Sequence, residues 1–221
     1  MIDKINSIPL HQVYSALGIF SSICFGVQYL PQMYLNYQRR SVQGFSATGI
    51  IIKLIGASFL LINSWLIGES LPVVFYGLIN VIQHTIFMFQ FSIYDPAKAT
   101  KYLPWVMFPI IPYLIGYRYP QTMYFTNSIK PITQVLSHLP QVILCYRSKS
   151  TLGVSLPSQY LNLFGGVAGV LMCIGIPPVS RITYFIYAFS VVQAISLFLI
   201  YFYYDIIQFK KNNKSSSNFG V

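Results

Sequence analysis

Apolar residues run along this chain in long blocks rather than in the one-sided three-to-four spacing of a water-facing helix. Seven blocks stand out, near residues 12–37, 45–67, 71–93, 102–117, 121–146, 155–177 and 181–209. A bilayer core needs ~20 helical residues to cross it, so the pattern predicts transmembrane helices separated by short polar loops. The fourth block, "KYLPWVMFPIIPYLIGY", is short and carries Pro104, Pro109 and Pro112. Each internal proline removes a backbone donor, so this block is expected to be an irregular connector.

The polar interruptions follow a second pattern. "LPQMYLNYQRRSVQGFS" from Leu30 recurs as "LPQVILCYRSKSTLGVS" from Leu139, an offset of 109 residues (140 − 31 for the two prolines). Over Leu30–Gly56 against Leu139–Gly165 there are 10 identities in 27 positions, too many for a chance dipeptide. In the third helix of each half Asn80 pairs with Ser190 and Gln83 with Gln193. The expected fold class is therefore an all-α membrane protein of seven transmembrane helices, two parallel three-helix repeats joined by a linker helix (3+1+3). Its divisions are residues 1–11, an N-terminal segment; 12–93, the first repeat; 94–120, the linker with the fourth helix; 121–209, the second repeat; and 210–221, a basic tail. Parallel repeats are a recurring transporter plan, with the solute held between the halves.

Composition agrees with the bilayer as solvent. The chain is 55% hydrophobic and 8% charged, with a mean hydropathy of +0.58; a soluble domain has roughly 25% charged residues. A net charge of +10 would suggest nucleic acid in a soluble chain, but here the cations report orientation and no nucleic-acid partner is expected. Lys4, Arg118 and Arg181 fall on one side. Arg39, Arg40, Lys98, Lys101, Arg147, Lys149, Lys210, Lys211 and Lys214 fall on the other, which predicts a lumenal N-terminus and a cytosolic C-terminus. The opening "MIDKINSIPLHQ" does not read as a cleavable signal. Cys24, Cys145 and Cys173 have no metal-like spacing and are read as packing residues; no cofactor is expected. The sequon at Asn213 would face the cytosol and stay silent.

Two sets of residues carry candidate chemistry. Pro31 and Pro140 weaken equivalent points of helices one and five, with Val27 and Leu136 as the carbonyls they would leave free. A single proline is usually a static kink, whereas paired weak points suggest moving hinges; Gln32 and Gln141 beside them either cap freed carbonyls or bond across the halves. In helix five, Asn127, Lys130, Gln134, His138 and Gln141 follow spacings of three and four, which puts them on one face. Ionisable groups are costly in hydrocarbon and normally line a cavity, so this face is read as a pathway with Lys130 near mid-membrane, the alternative being an interhelical hydrogen-bond seam. In helix two, Lys53 is either a snorkelling lysine or part of the same site, and Asn162 is its repeat mate. The expected substrate-binding set is Lys130, Asn127, Gln134, His138, Asn162 and Lys53, with hinges at Pro31, Gln32, Pro140 and Gln141. Gly165 and Gly169 form a GxxxG-like packing pair, while Gly44 and Gly153 are read as backbone conformations that other residues resist.

The doubled "LPQ…Y…S…G.S" pattern resembles the PQ-loop repeat proteins, a family that includes cystinosin, lysosomal cationic amino acid exporters, SWEET sugar transporters and the KDEL receptors. The resemblance implies passive or proton-coupled movement of a small solute across an organelle membrane, the lysosome or vacuole, endoplasmic reticulum or Golgi being the candidates. The "IK" ten residues before the second "PQ" is similar to cystinosin in the same register, which implies a substrate-site role for Lys130. The family's aspartate in the second helix of the later half is replaced here by Asn162, which cannot titrate. Asp205, Asp95, Glu69 and Asp3 all lie near loops or helix ends; with no carboxylate in the membrane interior, proton coupling of that kind is not expected. Catalysis has no support, since no nucleophile–base order, phosphate loop or metal-spaced cluster is present. The expected function is thus a facilitator or exchanger of a small polar solute, an amino acid or another anionic metabolite, by alternating access. Its partners are that small molecule and membrane lipids. The resemblance also leaves open a non-transporting alternative, a cargo receptor or a factor in lipid or dolichol-sugar handling.

Overall fold

The computed structural model describes residues 10–69, 71–175 and 181–208. Lys4, the basic tail with Lys210, Lys211 and Lys214, and the Asn213 sequon lie outside the described residues. Every described element is helical. In chain order these are α1 (Leu10–Val27), α2 (Leu30–Arg39), α3 (Ala47–Leu66) and α4 (Leu71–Tyr94). There follow α5 (Ala99–Tyr102), α6 (Ile110–Arg118), α7 (Met123–Thr126), α8 (Ile129–Leu136), α9 (Leu139–Ser148), α10 (Leu156–Gly175) and α11 (Arg181–Tyr201).

Among the described residues five spans are long and apolar enough to cross a membrane: Gln12–Arg39, Ala47–Leu66, Val73–Tyr94, Leu156–Gly175 and Tyr184–Ile207. The two remaining blocks are broken. The fourth is 3-10 turns at Pro96–Lys98 and Leu103–Met107 with α5 and α6 between and after them, as its prolines predict. The fifth, expected as one span over 121–146, is instead three short helices, α7, α8 and α9. The chain turns between them at Asn127–Ser128 and again at Ser137–His138. The backbone keeps right-handed helical torsions at all four residues, and at the second break Ser137 Oγ bonds Gln134 O at 3.0 Å, a local competition for a helix carbonyl.

The prolines act differently from a kink inside a continuous helix. α1 ends at Val27 and α2 begins at Leu30, with Pro31 in its first turn; α8 ends at Leu136 and α9 begins at Leu139, with Pro140 in its first turn. First-turn N–H groups have no helical partner, so proline there forfeits no bond. The repeat extends to the helix ends. Arg40 after α2 and Lys149 after α9 both adopt left-handed backbone, φ 48° and 53°. Ser46 caps α3 by accepting from Gly49 N at 3.2 Å, and Ser155 makes the matching contact to Ser158 N at 3.4 Å.

Packing crosses between the halves. α1 runs along α10 and α3 along α8, while α3 with α4 and α10 with α11 pair within each half. Ser21 Oγ donates to Gly165 O at 2.7 Å, and a Cβ on Gly165 would stand 2.9 Å from Cys24 Cβ. Gly169 lies under the Tyr187 ring of α11. The glycine pair therefore faces two neighbours at once, which small residues permit in a membrane bundle. An aromatic core of Tyr29, Phe87, Phe91 and Tyr102, with Leu54 and Met88, ties α3 and α4 to the connector.

Candidate functional site

At one end of the bundle the two halves hold each other by a reciprocal pair of side-chain clamps. Gln32, only 2% exposed, donates from Nε2 to Gly153 O at 3.0 Å and accepts at Oε1 from Ser155 N at 2.7 Å. Gln141 does the same to the first half, donating to Gly44 O at 2.9 Å and accepting from Ser46 N at 2.8 Å. A glutamine amide carries one donor side and one acceptor side, so each reads the backbone of a Gly-x-Ser tripeptide as a strand partner would. Gln32 is itself oriented by Asn36 Oδ1 at 2.9 Å, and Gln141 by Cys145 Sγ at 3.2 Å.

Between the clamps the loops touch. Gly44 has φ 84°, where a side chain is strained. Gly153 does not; its reason for being glycine is contact, because a Cβ there would overlap Gly44 Cα and Gln43 O, each 2.5 Å away. Arg39 Nη1 adds a bond to Leu152 O at 2.7 Å. Asp205 accepts from Thr151 N at 3.0 Å and from the Thr151 hydroxyl, which anchors the second loop to the helix end.

Directly beneath lies a narrow polar cavity of about 40 Å³, bounded by both clamp glutamines and by Lys53, His138, Gln159 and Asn162. Lys53 Nζ sits 5.0 Å from the centre of the Tyr29 ring, a cation–π contact. The opposite edge of the site is held by Asn162, which donates to Gln193 Oε1 at 3.1 Å and Ser190 O at 3.3 Å. His138 is 4% exposed and stacks on Phe189 with ring centres 6.1 Å apart. Among the described residues neither His138 ring nitrogen has a hydrogen-bond partner, nor do Ser158 Oγ and Gln159 Oε1. Buried polar atoms are nearly always satisfied, so this cluster offers hydrogen-bonding capacity to a guest.

A larger cavity of about 480 Å³ is lined by Lys130 and Gln134 of α8 together with Phe25, Tyr76, Tyr187 and Ser190. Tyr76 lies near the start of α4, Tyr187 near the start of α11, and the lining residue Leu60 towards the end of α3. All three positions lie towards the end of the bundle opposite the clamps. The volume is within the ~300–1,000 Å³ typical of small-molecule sites. Lys130 and Lys53 are one turn apart in register, since a Cβ on Gly56 would be 3.4 Å from Lys130 Cδ.

The predicted residues thus divide. Lys53, His138, Asn162, Gln32 and Gln141 meet in the narrow cavity, and Lys130 and Gln134 in the wide one. Asn127 joins neither: its Oδ1 accepts from Asn63 Nδ2 at 2.7 Å, and Asn63 also reaches Thr126 Oγ1 at 2.9 Å, so it belongs to a seam with α3. Pro31 borders the outer surface near Tyr34 and Leu152, and Pro140 borders an open pocket with Arg147 and Lys98. The sequence reading missed Tyr29, Ser158 and Gln159. His84 nearby is fully buried, edge-on to Tyr29 at 5.0 Å, with Nδ1 2.5 Å from Asn80 O. Among the described residues the one ion pair is Lys98 with Asp95 at 2.8 Å, outside both cavities. That hydrogen bond holds Lys98 above the ordinary lysine value.

The repeat seen in the structure has a counterpart among known proteins. The family model described as "PQ loop repeat" matches residues 13–73 and again 122–177. The chain belongs to the PQ-loop repeat family. A cystinosin homolog from Arabidopsis thaliana is 25% identical over 199 residues, covering 76% of this chain and 74% of that one. Among solved structures, a eukaryotic SWEET transporter superposes with a TM-score of 0.61 at 12% identity, covering 89% of this chain and 98% of that one. At that identity the likeness concerns the fold. In the PQ-loop frame, the two family matches each span one clamp glutamine and one Gly-x-Ser receiver, so every PQ-loop half contributes both parts of the closure.

Proposed function

We propose that this PQ-loop protein is a facilitator or exchanger that moves a small polar solute across an endomembrane by alternating access between two three-helix repeats joined by the α5–α6 linker (3+1+3). The observation that carries the reading is the reciprocal Gln32 and Gln141 closure at one end, set over the narrow polar cavity, with the separate Lys130 cavity towards the other end. A static bundle has no need of a symmetric, side-chain-to-backbone closure placed over buried polar atoms that lack partners. By the lysine and arginine balance, the clamped end faces the cytosol and the Lys130 cavity faces the lumen. The breaks before Pro31 and Pro140 are the hinges, and Lys130, Gln134, Lys53, His138 and Asn162 line the route.

The test is counterflow with purified protein in liposomes, screened over amino acids, sugars and organic acids. Saturable exchange of one class, lost in Lys130→Ala protein that still purifies as a single species, supports the reading. Absence of flux for every class, with correct folding, overturns it.

A further inference from the structure

The two cavities contain cations and no anions, and this constrains the guest. The chain has four Asp and Glu residues in all. Asp95 is paired with Lys98, Asp205 is held by Thr151 at the clamped end, and Glu69 is exposed after α3. Asp3 lies outside the described residues. Among the described residues neither cavity has a carboxylate in its lining. Lys130 borders the wide cavity and Lys53 the narrow one, and among the described residues neither is ion-paired. A guest carrying an ammonium group would meet two like charges in succession with nothing to offset them.

The rest of the wide cavity describes the guest's body. Phe25, Leu60, Val73 and Ile186 with the Tyr76 and Tyr187 rings supply apolar surface, and Lys130 and Gln134 supply polar groups, since Ser22 and Ser190 donate their hydroxyls to Gly18 O and Ile186 O. One cation with an amide N–H suits a single carboxylate, and the apolar surface suits a branched or aromatic hydrocarbon. We propose that the Lys130 cavity selects an organic monocarboxylate that has an apolar body and lacks an ammonium group. Passage towards the clamps then brings the carboxylate to Lys53 beside the unpartnered His138 nitrogens. This deepens the transport reading and rests on it for the direction of movement.

The experiment uses three ligands on one isobutyl skeleton: 4-methyl-2-oxopentanoate, leucine and 3-methylbutan-1-amine. Affinities are measured for the purified full chain in lipid nanodiscs, and flux of each is measured in liposomes. The oxo acid should bind at least about tenfold tighter than leucine, given the uncompensated like charge, and the amine should not bind. Lys130→Gln should abolish oxo-acid binding; the ligand ranking on the unmodified protein stands even where that variant does not fold. Leucine binding as tightly as the oxo acid, or no detectable oxo-acid binding, overturns the proposal. The flux arm is separate: leucine carried in preference to the oxo acid sinks the anion assignment and leaves transport standing, whereas oxo-acid binding without flux of any ligand upholds the anion site and sinks transport.

Discussion

Gly153 stands against Gly44 so closely that a methyl group on Gly153 would fall onto the Gly44 backbone. Because Gly153 does not have positive φ, Gly153→Ala adds a wedge without adding backbone strain. It is expected to hold the clamped mouth ajar. A Ser158→Cys reporter in the narrow cavity should then react faster with a hydrophilic thiol reagent applied from the loop side. Unchanged labelling would mean that the loops separate without consequence for the cavity.

Removing one clamp should have the same effect through lost bonds. Gln32→Leu or Gln141→Leu each deletes two hydrogen bonds between the halves and leaves a backbone donor and acceptor to find water. The closed state should weaken by about 1–3 kcal/mol per variant, read as a shift in the same labelling rate. The two effects should be of similar size because the geometry is repeated, and the double variant should be non-additive because the receiving loops touch. A tenfold larger response to one variant than to the other would show that the closure is not shared.

Pro31→Ala and Pro140→Ala test the breaks. Neither proline gives up a hydrogen bond where it sits, so folding and yield should be retained. Alanine would, however, allow α1 to run into α2 through Val27 O, and α8 into α9 through Leu136 O. Exchange between the two states should slow, measured as counterflow rate at equal protein density. Equal rates in the parent and both variants would make the breaks fixed features of the bundle.

Asn127 and Gln134 were read as members of one polar face, and the structure separates their expected effects. Asn127→Ala should lower thermal stability by about 0.5–1.5 kcal/mol, the worth of a neutral hydrogen bond, with solute affinity kept. Gln134→Ala should weaken affinity by about 1–2 kcal/mol with stability kept. Lys130→Arg should rescue Lys130→Ala poorly, because a planar guanidinium does not replace a compact ammonium. An affinity loss in Asn127→Ala equal to that in Gln134→Ala would return Asn127 to the pathway.

The helical blocks and the repeat were legible because hydrophobic length and duplicated spacing are properties of the chain itself. So was the meeting of Lys53, His138 and Asn162, since polar residues in apolar blocks must seek one another. Asn127 shows the limit: its spacing placed it on the polar face of helix five, but a partner on another helix, Asn63, takes up its amide, and periodicity along one helix does not reveal such a partner. Gly153 shows another, because a contact with a residue 109 positions away leaves no local trace. Tyr29 was missed since an aromatic residue in a membrane block carries no signal until a lysine is found over its ring.

The clamps end on main-chain groups at Gly44, Ser46, Gly153 and Ser155, and this makes the mouth sensitive to water activity. In the proposed alternating access each of those bonds is exchanged for one to water at a net cost of about 0.5–1.5 kcal/mol, and the open state also holds more water in the cleft. Shutting is then a drying event, in which a thin film must leave before the amides can dock. Excluded osmolytes such as sucrose favour burial and would press the mouth shut. Dilution would release it, with no change in any side chain.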